Sequence, residues 1–186
     1  MTTMFKTTLI AAVLTSTTLL AQGLDFNRSL DCNWVDPIQN GYLQNHLVFK
    51  EKSKDLQDRV IEQYIKRQDP SKIYLLVTDV AQIKTMMKNV FENVAKKDCK
   101  FMNEIQALIV KRVEDRTEFV KKYLGADFKF NKETEFVYDP DHKEYLKTAE
   151  EAQDFLKKYI QFQVANYVAT DVKLEEAKGR VIKNYE

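Results

Sequence analysis

Scarcity of turn-forming residues constrains this chain most: it holds only 4 Gly and 3 Pro in 186 residues. A β-sandwich or barrel reverses direction about every ten residues and draws heavily on both residue types. The sequence therefore points to long elements joined by few turns, and its periodicity makes them helices. Asp36-Pro37 reads as an N-cap with Pro at the first helical position, opening a helix through Ile38, Tyr42, Leu43 and the dense stretch His46-Leu47-Val48-Phe49. Ser53 reads as the next N-cap, with Asp55 where the helix dipole favours an acid. Leu56, Val60, Ile61, Tyr64 and Ile65 follow at helical spacing until Asp69-Pro70, because the residue before proline avoids helical geometry.

Thr78-Asp79 marks another start, with Val80, Ile83, Met87, Val90, Phe91 and Val94 on one face. A longer helix is expected from about Lys100 to Leu124, stopped by Gly125. Residues 126–147 break the pattern. Phe128, Phe130, Phe136, Val137 and Tyr138 lie there among Asn131 and Asp139-Pro140-Asp141, which predicts a long connection with its aromatics packed onto the helices. Such a connection inside one domain is often functional. Thr148-Ala149-Glu150-Glu151 is a capping box. Ala152, Phe155, Leu156, Tyr159, Ile160, Val164, Tyr167 and Val168 continue from it, and Asp171 is expected to cap a last helix through Leu174, Ala177, Val181, Ile182 and Tyr185. That helix carries no stop signal before Glu186, which suits a fragment as well as a complete protein. The expected fold is all-α: an irregular multi-helix bundle with one aromatic-rich connection at about 126–147.

The front end reads as a signal peptide. Lys6 is the only charge in the first 24 residues, residues 9–20 are apolar or small, and Ala21-Gln22-Gly23 offers a cleavage-like site. Residues 1–23 are thus read as leader and 24–186 as one helical domain, exported to the periplasm. Cys32 lies too far downstream to be a lipidation site. Without Lys6, the 29 basic residues become 28, equal to the 28 acidic ones, and the charges are interspersed. That balance excludes the concentrated basic patch of a nucleic-acid binder, and no second apolar run is long enough to span a membrane.

Three stretches resemble a known family. Asp58-Arg59-Val60-Ile61-Glu62-Gln63-Tyr64-Ile65-Lys66-Arg67 follows His46 and runs into Asp69-Pro70-Ser71-Lys72-Ile73-Tyr74-Leu75-Leu76 and Thr78-Asp79-Val80. Lys147-Thr148-Ala149-Glu150-Glu151 is followed by Ile160-Gln161-Phe162-Gln163, and Leu174-Glu175-Glu176-Ala177 by Val181-Ile182-Lys183-Asn184-Tyr185-Glu186. In this order they resemble the N-terminal helical domain of tail-specific, or carboxyl-terminal processing, proteases, over about residues 46–186. Gln68, Leu76 and Asn184 depart from the usual pattern. The resemblance implies a periplasmic family of Ser-Lys serine proteases that select substrates by their C-terminal tails through a PDZ domain. In it the helical domain shapes the substrate-receiving bowl and in some members helps dock a lipoprotein adaptor.

The residues do not supply that chemistry. A Ser-Lys dyad needs an exposed serine, a nearby lysine of depressed pKa and oxyanion-hole amides. Beyond the leader only Ser29, Ser53 and Ser71 remain; Ser53 reads as a cap, and Ser71-Lys72 as a turn hydroxyl beside a solvated lysine. Gly23, Gly41, Gly125 and Gly179 are too scattered for a carboxylate-binding loop. His46 reads as a packed core or boundary histidine, and His142 as a turn residue. Neither has metal-ligand spacing, and Asp139 and Asp141 read as a solvated turn rather than a calcium site. Trp34 reads as a packing anchor, with an exposed partner contact as the other reading. No catalytic, cofactor-binding or metal-ligating set is assigned. Cys32 and Cys99, an even pair in an oxidising compartment, are expected to form a disulfide. The expected role is a non-catalytic scaffold or docking domain of such a protease, its partners being the protease remainder, a substrate polypeptide or a lipoprotein adaptor. The alternative is a free-standing periplasmic helical adaptor.

Overall fold

Side-chain caps set where two of the helices begin. Ser53 holds extended backbone geometry and its Oγ accepts the Leu56 amide at 3.2 Å. Thr148 Oγ1 accepts the Glu151 amide at 3.1 Å, while the Glu151 carboxylate reaches back to the Lys147 amide at 2.9 Å. Each satisfies amides that a helix start leaves unpaired. A computed structural model of the chain describes residues 31–137, 139 and 143–186. The expected leader, Tyr138, His142 and Asp141 lie outside the described residues. Among those described are seven helices and no strand: α1 Cys32–Asn45, α2 Lys54–Gln68, α3 Val77–Met86, α4 Val90–Ala95, α5 Lys100–Tyr123, α6 Ala149–Val168 and α7 Leu174–Lys183. The architecture is all-α. One isolated parallel bridge joins Leu76 to Leu146.

Several local expectations need correction. α1 starts at Cys32, so Pro37 lies inside it and Asp36 is not its cap. Asp36 instead pairs with Lys52 and accepts the Asn40 side-chain amide at 3.0 Å. α1 also ends at Asn45, before the His46 stretch. His46 is exposed, and its Nδ1 accepts the Val48 and Phe49 amides at 3.1 and 2.9 Å, which closes a turn. The six apolar residues from Val80 to Val94 divide between two helices, because Lys88 and Val90 each bond the carbonyl three residues earlier and tighten the chain around Met87. Gly125 stops α5 without a positive φ. Its role is close approach, since a Cβ there would stand 3.1 Å from the Lys122 carbonyl oxygen. Asp171 does not cap α7; it takes the left-handed φ of 62° that Asp tolerates better than most residues.

Packing produces two apolar cores. The first gathers Ile61 and Ile65 of α2, Leu75, Ile83 of α3, Val90 and Val94 of α4, and Phe101 and Ile105 of α5. The second gathers Ile73, Val120 of α5, Leu156, Ile160 and Val164 of α6, and Ala177 and Val181 of α7, with Tyr185. α5 spans both, its first half in one core and its last turns in the other.

Candidate docking site

Between the two cores runs a polar seam built on residues 69–79. Asp69 is almost wholly buried, and its carboxylate accepts three backbone amides: Ile73 at 2.9 Å, Tyr74 at 3.0 Å and Leu75 at 2.9 Å. To bring three successive amides onto one carboxylate the chain turns sharply at Lys72, which adopts a φ of 50°. The amides hold that left-handed conformation, which a non-glycine residue rarely adopts. The result places Ile73 in the second core and Leu75 in the first. Asp79 does a parallel job at the start of α3. It accepts the Leu76 amide at 2.9 Å and takes a two-pronged bond from Arg112 of α5, both contacts at 2.8 Å. A bidentate Arg–carboxylate pair fixes orientation as well as distance, and hydrogen bonding to Asp79 raises the Arg112 pKa.

Arg116, one turn further along α5, is 7% exposed and donates through Nη2 to the Tyr74 carbonyl at 3.4 Å. Its Nε has no hydrogen-bond partner among the described residues. Burial, followed by the neighbouring Arg112, lowers its pKa. Lys143 enters the seam from the long connection. Its ammonium donates to the Ser71 carbonyl at 3.1 Å and sits 3.7 Å from the Phe155 ring centroid, a cation–π distance. Burial, against the pull of Asp69, lowers the Lys143 pKa to about 8. Lys72 returns the contact by donating to the Lys143 carbonyl. Burial pushes the nearby Tyr145 hydroxyl up to about 12, with Asp69 adding to it.

The remaining family-like stretches also form joints. In Ile160-Gln161-Phe162-Gln163 the first residue is core. Gln161 is buried and its amide group holds three partners: Nε2 donates to Tyr123 Oη and the Lys129 carbonyl, both at 3.0 Å, and Oε1 accepts the Asn131 amide at 3.1 Å. It thereby ties the connection to α5 and α6. Phe162 lies 5.6 Å from the Phe136 ring, which also meets Phe155 and Tyr159 at 5.4 and 5.5 Å. Gln163 accepts the Tyr185 hydroxyl at 3.1 Å. At the C-terminal stretch, Thr117 Oγ1 donates to the Tyr185 carbonyl at 2.6 Å and Lys121 pairs with Glu186 at 2.8 Å.

α1 behaves differently. Its inner face packs Val35 against the first core, and Cys32 is joined to Cys99, with Cα atoms 5.9 Å apart and a sequence separation of 67. Its outer face carries Trp34, Ile38 and Tyr42 one turn apart, 62%, 43% and 76% exposed. Trp34 is therefore not a packing anchor, because Cys32, Val35 and Gln39 form the inner face instead. Ser53 is a cap, as the sequence implies, and Lys72 is a seam residue rather than a solvated lysine. Sequence reasoning missed Arg112, Arg116, Lys143 and Gln161. For the arginines a signal existed: they continue the Ile105–Ile109 stripe toward Val120, where helical spacing calls for apolar residues. Among the described residues no cluster of three or more His, Cys, Asp or Glu could hold a metal ion, and no helix is long and apolar enough to cross a membrane.

Fold and joints together define an all-helical domain whose polar interior holds the chain in shape. Residues 38–186 match the family model described as the tail specific protease N-terminal domain, and the chain belongs to that family. No protein of curated function matches the sequence.

Proposed function

We propose that this chain is the non-catalytic scaffold and docking domain of an exported tail-specific protease, with substrate-tail binding and peptide cleavage carried by other parts of the enzyme. The observation that carries this reading is the use to which the family-like residues are put. Asp69, Asp79, Gln161, Gln163 and Tyr185 bond inward, to backbone or to one another's helices, and Thr148 is taken up as the surface cap of α6. Ser53 Oγ is occupied as a cap. A domain built this way presents a fixed surface, and its partners would be the protease remainder, a substrate polypeptide or a lipoprotein adaptor. Family membership and the disulfide support a periplasmic location. The exposed apolar stripe on α1 suits a second reading, a free-standing periplasmic adaptor.

The test has two arms. The purified chain is incubated with an unfolded protein ending in an apolar tail, beside Ser53→Ala and Ser71→Ala, and products are read by mass spectrometry. No cleavage is expected; cleavage lost in either variant sinks the non-catalytic reading. The chain is then mixed with the PDZ and Ser-Lys portion of a tail-specific protease and run on a sizing column. Co-elution supports the scaffold reading, and separate elution favours the adaptor.

A further inference from the structure

α2 and α3 pack side by side and leave a groove along their shared edge. It consists of two adjoining surface cavities, about 410 and 240 Å³, that share Glu62 and Lys84 in their walls. The α2 wall runs from Lys54 to Asp69 at three- and four-residue spacing, which at 1.5 Å per residue is about 20 Å. At the smaller cavity Gln57 Nε2 donates to the Lys88 carbonyl at 2.7 Å. Pro70 and Tyr145 line the larger cavity. Ile61, Ile65 and Val80 provide an apolar floor.

Charge on the rim is one-sided. Lys54 is paired with Asp58 and Lys72 is bonded to the Lys143 carbonyl. Asp69 is enclosed by its three amides. That leaves Lys66, Lys84 and Lys88 exposed without an ion pair among the described residues, against Glu62 alone. The whole chain, by contrast, is nearly neutral at +1. The three lysines are spread along the groove, too far apart for one small anion to bridge all of them. An extended peptide rises about 3.3 Å per residue and sends alternate side chains to opposite faces. About six residues fill the groove, with alternate apolar side chains on the floor and acidic ones at the lysine rim.

We infer that this groove is a docking site for an extended acidic–apolar segment of a partner protein. The inference rests on the docking reading above and names the chemistry of one partner. Its test is fluorescence anisotropy with the whole chain and a fluorescein-labelled hexapeptide of alternating Leu and Glu. Saturable binding is expected, weakened at least tenfold by 0.5 M salt as charge attraction is screened. The variant Lys66→Glu/Lys84→Glu should bind at least tenfold more weakly, with Lys66→Gln/Lys84→Gln in between and Lys132→Glu unchanged. Circular dichroism of each variant checks that the helices persist. Failure to bind at millimolar peptide, equal binding of a Leu–Lys hexapeptide or a thymidine hexanucleotide, or indifference to the double reversal would overturn the inference. None of those outcomes touches co-elution with the protease portion, so the groove and the scaffold reading fail separately.

Discussion

The two cores close themselves by different means. The first is mainly aliphatic, with Phe91 and Phe101 among it, and is closed covalently, by the Cys32–Cys99 bond that binds α1 over α4 and the start of α5. The second is edged by aromatics, among them Phe119, Tyr123, Phe128 and Phe155, and is closed by the long connection through Gln161 and Phe136. Two helices of the first core, α3 and α4, have only 10 and 6 residues and little area to bury, so a crosslink that restricts the unfolded chain compensates there. Long helices such as α6 bury enough surface to need only side-chain contacts. Between the cores, the Asp69–Asp79–Arg112 seam belongs to neither, and it is where the two must act together.

The largest effect should come from the seam. Asp69→Ala leaves two buried amides and one part-buried amide unsatisfied and should cost about 3–5 kcal/mol, because each orphaned buried donor costs roughly 1–3 and the terms are not additive. Urea unfolding followed by far-UV circular dichroism measures it. A loss below about 1 kcal/mol would show that the loop finds other partners and that the seam does not couple the cores.

The double variant Cys32→Ser/Cys99→Ser sharpens the contrast. Opening a loop of 67 residues should cost up to about 4 kcal/mol in the chain-entropy model. Trp34, the single tryptophan, lies on α1 and reports that region alone. Its emission should change at lower urea than the helical signal, which includes α6 and α7. Coincident transitions would mean that the first core does not open separately.

Phe136→Ala is the matching break in the second core. The side chain is only half-buried, so about 1–2 kcal/mol is expected, below the full core value for Phe→Ala. Limited proteolysis should then nick the connection near residue 136 before any helix. Unchanged proteolysis would show that Gln161 holds the connection without the aromatic contact.

The smallest effect is one of pH. Burial lowers Lys143 from its ordinary 10.5 to about 8, so between these values the unfolded chain binds more protons than the folded one. Stability therefore rises as pH climbs from about 8 toward 10. Tyr145 acts in the opposite direction only above about 10, where the unfolded tyrosine ionises and the folded one does not. Urea midpoints from pH 7.5 to 10 should rise in the wild type relative to Lys143→Met, in which that contribution is gone. Parallel curves would remove Lys143 from the seam.

What the sequence determined by itself was local. Ser53 and Thr148 mark helix starts because a cap satisfies amides two or three residues away, and apolar spacing marks α2, α5 and α6 because one face repeats every turn. Family-like order along residues 46–186 was legible in the same way, as short stretches in sequence. Even here the local rules had limits. Asp36-Pro37 looked like a cap, and α1 begins four residues earlier, where Cys32 is held by a cysteine 67 residues away. The tertiary structure alone decided the seam, the groove and the exposed face of α1. Asp79 meets Arg112 across 33 residues, Gln57 meets Lys88 across 31, and Gln161 meets Lys129 across 32. Periodicity says which face of a helix is buried, but a polar residue on that face is stable only if a partner from another element arrives there, and that depends on how the helices cross.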